Sequence, residues 1–174
     1  VPAAKKSLEL TVRYDPGLSP HRLGDPVRLR QVVGNLVSNA VKFTSEGHVT
    51  IAVETAAGDP TGVRVRVSDT GIGIEPENQA SVFDVFMQAE SWITRRYGGT
   101  GLGLAVSKEL VELMGGGIFL RSTPGEGCEF SFDVPLPEDP NGAAVVPAAE
   151  ESAEAPPRVL LVVESPETSG ALDQ

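Results

Sequence analysis

Hydrophobic positions recur in two periods along this chain. Leu29, Val32, Val33, Leu36, Val37, Ala40 and Val41 fall in an i, i+3, i+4 series, which predicts an amphipathic helix over 26–43. Asp25 stands before it as a natural N-cap, with Pro26 at the first helical position. Leu102, Ala105, Val106, Leu110 and Leu113 predict a second inward stripe, on a helix from about 101 to 114 that the glycines at 115–117 stop. Period-two alternation predicts strands at 8–13 (Leu8, Leu10, Val12), at Val49, Ile51 and Val53, and at Val63, Val65 and Val67. Further strands are expected at 118–121 and at Phe130, Phe132 and Val134, separated by a TPGEG turn. A third, short helix is expected near 76–86. The order is β, α, β, β, α, β, β. Hairpin-joined strands with about three helices on one face imply an α+β fold, a two-layer α/β sandwich on a mixed, mostly antiparallel sheet.

Composition narrows the function. The chain has 174 residues, 40% hydrophobic and 22% charged, enough for one domain with a real core. Net charge is -10, and residues 138–174 hold eight acids against one base, so most of the acidity is in a tail. A polyanion such as nucleic acid would be repelled, and aromatics at 5% offer no base-stacking platform. The single cysteine, Cys128, fits a reducing, cytoplasmic setting. No apolar run approaches the roughly 20 residues that span a bilayer. The chain reads as a piece of a longer protein, whose own membrane anchoring stays open. Past residue 137 the text becomes Ala, Pro and Glu, so the expected division is a domain at 1–137, a linker at 138–157 and a short start of something else at 158–174.

Three motifs look chemical. Asn35, Asn39 and Lys42 share one helical stripe at i, i+4, i+7. Asn is a poor mid-helix residue, so either this is a solvated face or the amides and the ammonium serve a metal and phosphates. In VSDTGIGI, period two carries Asp69 onto the face of three core valines, and Gly71 and Gly73 leave room for a flat group to approach. A plain turn explains the glycines but not the acid. In RRYGGTGLGLAVSKEL a glycine-rich loop opens a helix, as anion sites do. It is neither a phosphate-binding loop of the G-K-[ST] kind nor a dinucleotide fingerprint, since Leu104 occupies the third glycine position. Phe83 and Phe86 read as core by default, and 87–99 reads as a mobile lid. Taken together these define an adenine end, a metal and phosphate end and a phosphate loop. His21 and His48 both read as surface residues rather than catalysts.

The ordered set QVVGNLVSNAVKFT, VSDTGIGI, VFDVFMQAE and RRYGGTGLGLAVSKEL resembles the four boxes of the catalytic ATP-binding domain of sensor histidine kinases, over about residues 5–137. The resemblance implies the Bergerat ATP-binding fold, with ATP and Mg²⁺ as ligands. It implies that Asn35 and Asn39 serve Mg²⁺, that Lys42 and the loop Gly99, Thr100, Gly101, Leu102, Gly103 serve the phosphates, and that Asp69 accepts from the adenine amino group. Gly71, Gly73, Phe43, Phe86 and Tyr97 would complete the nucleotide site. Arg95 and Arg96, in the lid, would act with Asn35 and Lys42 as the catalytic set. The family transfers the γ-phosphoryl of ATP to a histidine on a separate dimerisation segment, so the implied partners are that segment, a response-regulator receiver domain and a second copy in the full-length protein. Relatives of the fold that hydrolyse ATP or phosphorylate serine, and a purely regulatory nucleotide-binding module, are the alternatives. RVLLVVES at 158–165 resembles the first strand of a receiver domain, as in hybrid kinases. Receivers usually carry two acids here; Val163 and Glu164 supply one, so the match is either a degenerate receiver or accidental.

Overall fold

The computed structural model describes residues 8–59, 61–84 and 102–140. Five strands form one sheet: β1 (Glu9–Tyr14), β2 (His48–Thr55), β3 (Gly62–Asp69), β4 (Gly117–Thr123) and β5 (Gly127–Pro135), in the order β1-β2-β3-β5-β4. β1 runs parallel to β2, and every other pairing is antiparallel. The helices are α1 (Pro26–Phe43), α2 (Pro76–Gln79) and α3 (Gly103–Leu113). The expected mixed, mostly antiparallel α+β sandwich is what forms.

Each element has a local cause. Asp25 caps α1 as its sequence position predicts: Oδ1 accepts from the N–H groups of Val27 at 3.0 Å and Arg28 at 3.1 Å. Val32 and Leu36 of α1 are fully buried and belong to one core with Val49, Val67, Val111, Phe132 and Val134. The other sheet face is polar and paired. Arg64 grips Asp133 through two bonds of 2.6 Å, and Arg66 meets Glu54 at 2.6 Å.

Two helices differ from expectation. α2 is a single turn; residues 80–84 continue as turns, with Ser81 N–H donating to Asn78 O and Asp84 N–H to Ser81 O, three residues back each time. α3 begins at Gly103; of its expected inward stripe Ala105 is buried and Leu110 packs against the core, but its C-terminal end turns out. Leu113 is 69% exposed, while Ser107 and Val111 are fully buried. The face that meets the core therefore runs through Leu104, Ala105, Ser107, Leu110 and Val111, and it includes a serine that a search for apolar residues passes over.

The end of the domain is tied down. Leu23 N–H donates to Pro137 O at 2.8 Å, and Asp139 N–H to His21 O at 3.0 Å. Arg22 Nη1 donates to Leu136 O at 2.9 Å and Thr61 O at 3.3 Å, and its other amino group lies 3.5 Å from Glu138. Residues 138–139 thus fold back on the body. His21, expected at the surface, is half-buried beside this pairing, with Nε2 enclosed and without a partner among the described residues. Residues 141–157 of the linker and 158–174 lie outside the described residues.

Candidate functional site

Sheet register lines up the polar end of the inner face. Val49 opposes Asp69, Asp69 opposes Cys128, and Ser122 opposes Cys128. Paired residues point to the same side, so one row crosses the sheet as valine, carboxylate, thiol and hydroxyl. The next row inward, Ile51, Val67, Phe130 and Leu120, is wholly apolar. Asp69 is the acid that the alternation of β3 carries inside, and it is only 8% exposed.

Its carboxylate is nonetheless supplied with donors. Oδ1 accepts from Gly71 N–H at 2.8 Å. The Cys128 N–H adds a bond that favours the charged form. Burial outweighs them and raises the Asp69 pKa above the usual carboxylate range. Burial also pushes the Cys128 thiol up to about 11, against the bond from Ser122 and with the Asp69 charge adding to the rise.

The loop after Asp69 is a fixed platform. A Cβ on Gly71 would lie 2.6 Å from Phe43 O and 2.8 Å from Asp69 Oδ1, so no side chain fits there. Gly73 has φ +70° and presses on the backbone of Thr123. Gly125 N–H donates to Ile72 O at 2.8 Å, and Ile74 N–H to Ser122 Oγ at 2.9 Å. The Gln79 amide joins Ile74 O and Ser122 O at 2.8 and 3.0 Å. The platform is therefore sewn to the β4–β5 hairpin on one side and to the end of α1 on the other.

The flank of α1 carrying Asn35, Asn39 and Lys42 is half-buried, not the solvated face. Solvent lies instead over Arg30, Gln31, Gly34 and Ser38. Asn35 Nδ2 donates to Gly103 O and to Ser107 Oγ, each at 3.2 Å, so the flank is turned toward α3. Lys42 Nζ sits 4.6 Å from the centre of the Phe43 ring, and burial lowers its pKa. Leu102, at the N-cap position of α3, accepts from Val106 N–H at 2.9 Å.

Among the expected residues, the structure brings Asp69, Gly71 and Phe43 into contact and joins Asn35 to Gly103. Asn39 and Lys42 share the Asn35 flank. Phe86, Arg95, Arg96, Tyr97, Gly99, Thr100 and Gly101 lie outside the described residues. Phe83 packs edge-on against Phe130 at 6.1 Å, as core. Thr44 and Ser107 were not singled out by the sequence reading, yet both are fully buried polar residues touching site residues. Thr44 carried a signal, since a threonine closing a helix can bond back four residues; its Oγ1 donates to Ala40 O at 2.7 Å.

Residues 24–138 match the family described as histidine kinase-, DNA gyrase B-, and HSP90-like ATPase. The chain belongs to this ATPase family. Within it, the likeness is to sensor kinases. Over 138 residues it is 45% identical to the signal transduction histidine-protein kinase BarA of Escherichia coli K12, covering 78% of this chain and 15% of that protein. The solved structure of full-length ShkA in complex with AMPPNP matches with TM-score 0.69 and 35% identity, over 79% of this chain and 27% of that one. The catalytic domain of histidine kinase ThkA matches with TM-score 0.63 and 29% identity, over 76% of this chain and 82% of that one. The chain is thus a histidine kinase-type ATPase domain, and it spans about 15% of the length of curated relatives such as BarA. No helix among the described residues is long and apolar enough to cross a membrane.

Proposed function

We propose that this domain binds Mg-ATP and donates the γ-phosphoryl group to a histidine on a separate dimerisation segment of its parent protein. The observation that carries the reading is Asp69: a buried carboxylate at the end of a core strand, held by the N–H groups of Gly71 and Cys128, with Gly71 packed against the carbonyl of Phe43. Such an acid suits the exocyclic amine of adenine.

The other end of the site follows from α1. Asn35 and Asn39 carry amide oxygens on one flank, hard donors that suit a Mg²⁺ shared with phosphate oxygens and taking few protein ligands. When bound, that ion would neutralise charge on the phosphates. Lys42 would hold phosphate as a point charge, and Phe43 would line the base pocket. The loop at 99–103 and the arginines Arg95 and Arg96 complete the assignment by resemblance. Transfer of this kind relies on positioning and charge stabilisation, with the acceptor histidine supplied in line from outside this domain. Beyond the domain, we propose the linker at 138–157 and a receiver-like start at 158–174, with a receiver domain as the downstream partner.

The test is incubation with γ-labelled ATP and Mg²⁺, with and without a histidine-bearing helical hairpin from a sensor kinase. Label should appear as acid-labile phosphohistidine on the hairpin alone. Phosphohistidine on His21 or His48, phosphoserine, or hydrolysis without transfer would each overturn the reading.

A further inference from the structure

Ser107 is fully buried on the face of α3 that meets α1. A buried hydroxyl in a helix needs partners, and here they form a closed set. Ser107 Oγ donates to Gly103 O at 2.8 Å, one turn back. Asn35 Nδ2 donates to that same carbonyl and to Ser107 Oγ, both at 3.2 Å. The set has one consistent orientation. The Gly103 carbonyl can only accept; it takes the hydroxyl proton, which leaves Ser107 with lone pairs to offer. Both acceptors then face the Asn35 NH₂. Turning that amide over would set its oxygen against the carbonyl, acceptor to acceptor, and strand the NH₂ on the far side.

We infer that Ser107 is a positioning residue which, with the Gly103 carbonyl, locks the Asn35 amide so that its oxygen is the atom offered to the metal end of the nucleotide site. The inference rests on the proposed role of Asn35 toward Mg²⁺. A cation is held by the amide oxygen, and groups that orient a ligand contribute to metal affinity without touching the ion. A bond that served only to hold α1 to α3 would behave differently: its loss would weaken ATP binding with and without the metal alike.

The test is calorimetric titration of the full 174-residue chain with ATP, once with Mg²⁺ and once with EDTA. Ser107→Ala should lose about 10-fold in Mg-ATP affinity while its metal-free ATP affinity stays at the wild-type level. Combining Ser107→Ala with Asn35→Ala should be no worse than Asn35→Ala alone, because the serine acts through the amide. Equal losses with and without metal, or additive losses, overturn the inference. If Asn35→Ala removes the metal-dependent gain and Ser107→Ala does not, the metal role stands and the inference alone fails. If Asn35→Ala leaves that gain intact, the metal role falls and takes the inference with it. Should Ser107→Ala not fold, the wild-type Mg-ATP complex decides by NMR. The Asn35 side-chain amide protons should exchange slowly there, and rapid exchange overturns the inference.

Discussion

The backbone N–H of Gly71 donates to Asp69 Oδ1 at 2.8 Å, while the α-carbon of Gly71 lies so close to Phe43 O that an added Cβ would stand 2.6 Å from it. One glycine thus fixes the Asp69 carboxylate against the end of α1. Gly71→Ala must move either the carboxylate or the helix end. It should destabilise the fold by about 1–3 kcal/mol, the usual range for overpacking, and also weaken ATP binding. Thermal melts without nucleotide and ATP titration check both. A variant with the wild-type midpoint and wild-type affinity would show that the contact yields freely.

Asp69→Asn separates stability from binding. Because the folded pKa is raised above the unfolded value, the folded state holds more protons in the window between them, and stability falls as pH rises through it. At neutral pH the carboxylate therefore carries a burial cost that Asn lacks. The nucleotide-free variant should melt at or above the wild-type midpoint at pH 7, with the difference shrinking toward acid pH. ATP affinity should fall by about 10–150-fold, equivalent to about 1.5–3 kcal/mol, since an amide can turn its NH₂ toward the adenine amine. Wild type should reject GTP, whose carbonyl would meet the carboxylate acceptor to acceptor. Equal binding of ATP and GTP by wild type would remove Asp69 from base reading.

Asn39→Ala tests the metal end. Asn39 sits on the half-buried flank of α1 and not in the apolar core, so its truncation opens no core cavity, and Ala favours helix by about 0.5 kcal/mol. The nucleotide-free midpoint should hold or rise slightly, while the Mg²⁺-dependent part of ATP binding is lost. A large fall in the midpoint would make Asn39 structural instead.

Cys128 should be chemically quiet. With its thiol pushed up to about 11, the reactive thiolate is only about one part in a thousand at pH 8. Alkylation by iodoacetamide at that pH should run far slower than for free cysteine and accelerate as the pH approaches 11. Rapid labelling at pH 8 would contradict the burial seen beside Asp69.

Arg22 holds the chain end. Arg22→Ala removes bonds to Leu136 O and Thr61 O, leaving two carbonyls that need other partners, and should cost about 1–3 kcal/mol. Limited proteolysis should then cut near 137–140 at protease levels that spare wild type. Unchanged cleavage would mean that the Leu23 and Asp139 backbone bonds suffice.

The strands, α1 and its Asp25 cap are legible in the residues alone, because periodicity and capping are local properties of the chain. So is the inward placing of Asp69, since period two forces the side chain after Val63, Val65 and Val67 onto their face. How far the inward face of α3 extends is a matter of packing. Ala105 and Leu110 turn in as the apolar pattern predicts, but packing against α1 leaves Leu113 outside and takes in Ser107, whose hydroxyl is satisfied by Gly103 and Asn35. The same packing turned the Asn35 flank toward α3, where the helical wheel alone allowed it to face water. Cys128 meets Asp69 through the β3–β5 register and Thr44 meets it because α1 ends beside that pair, contacts between residues far apart in the chain that no local pattern encodes.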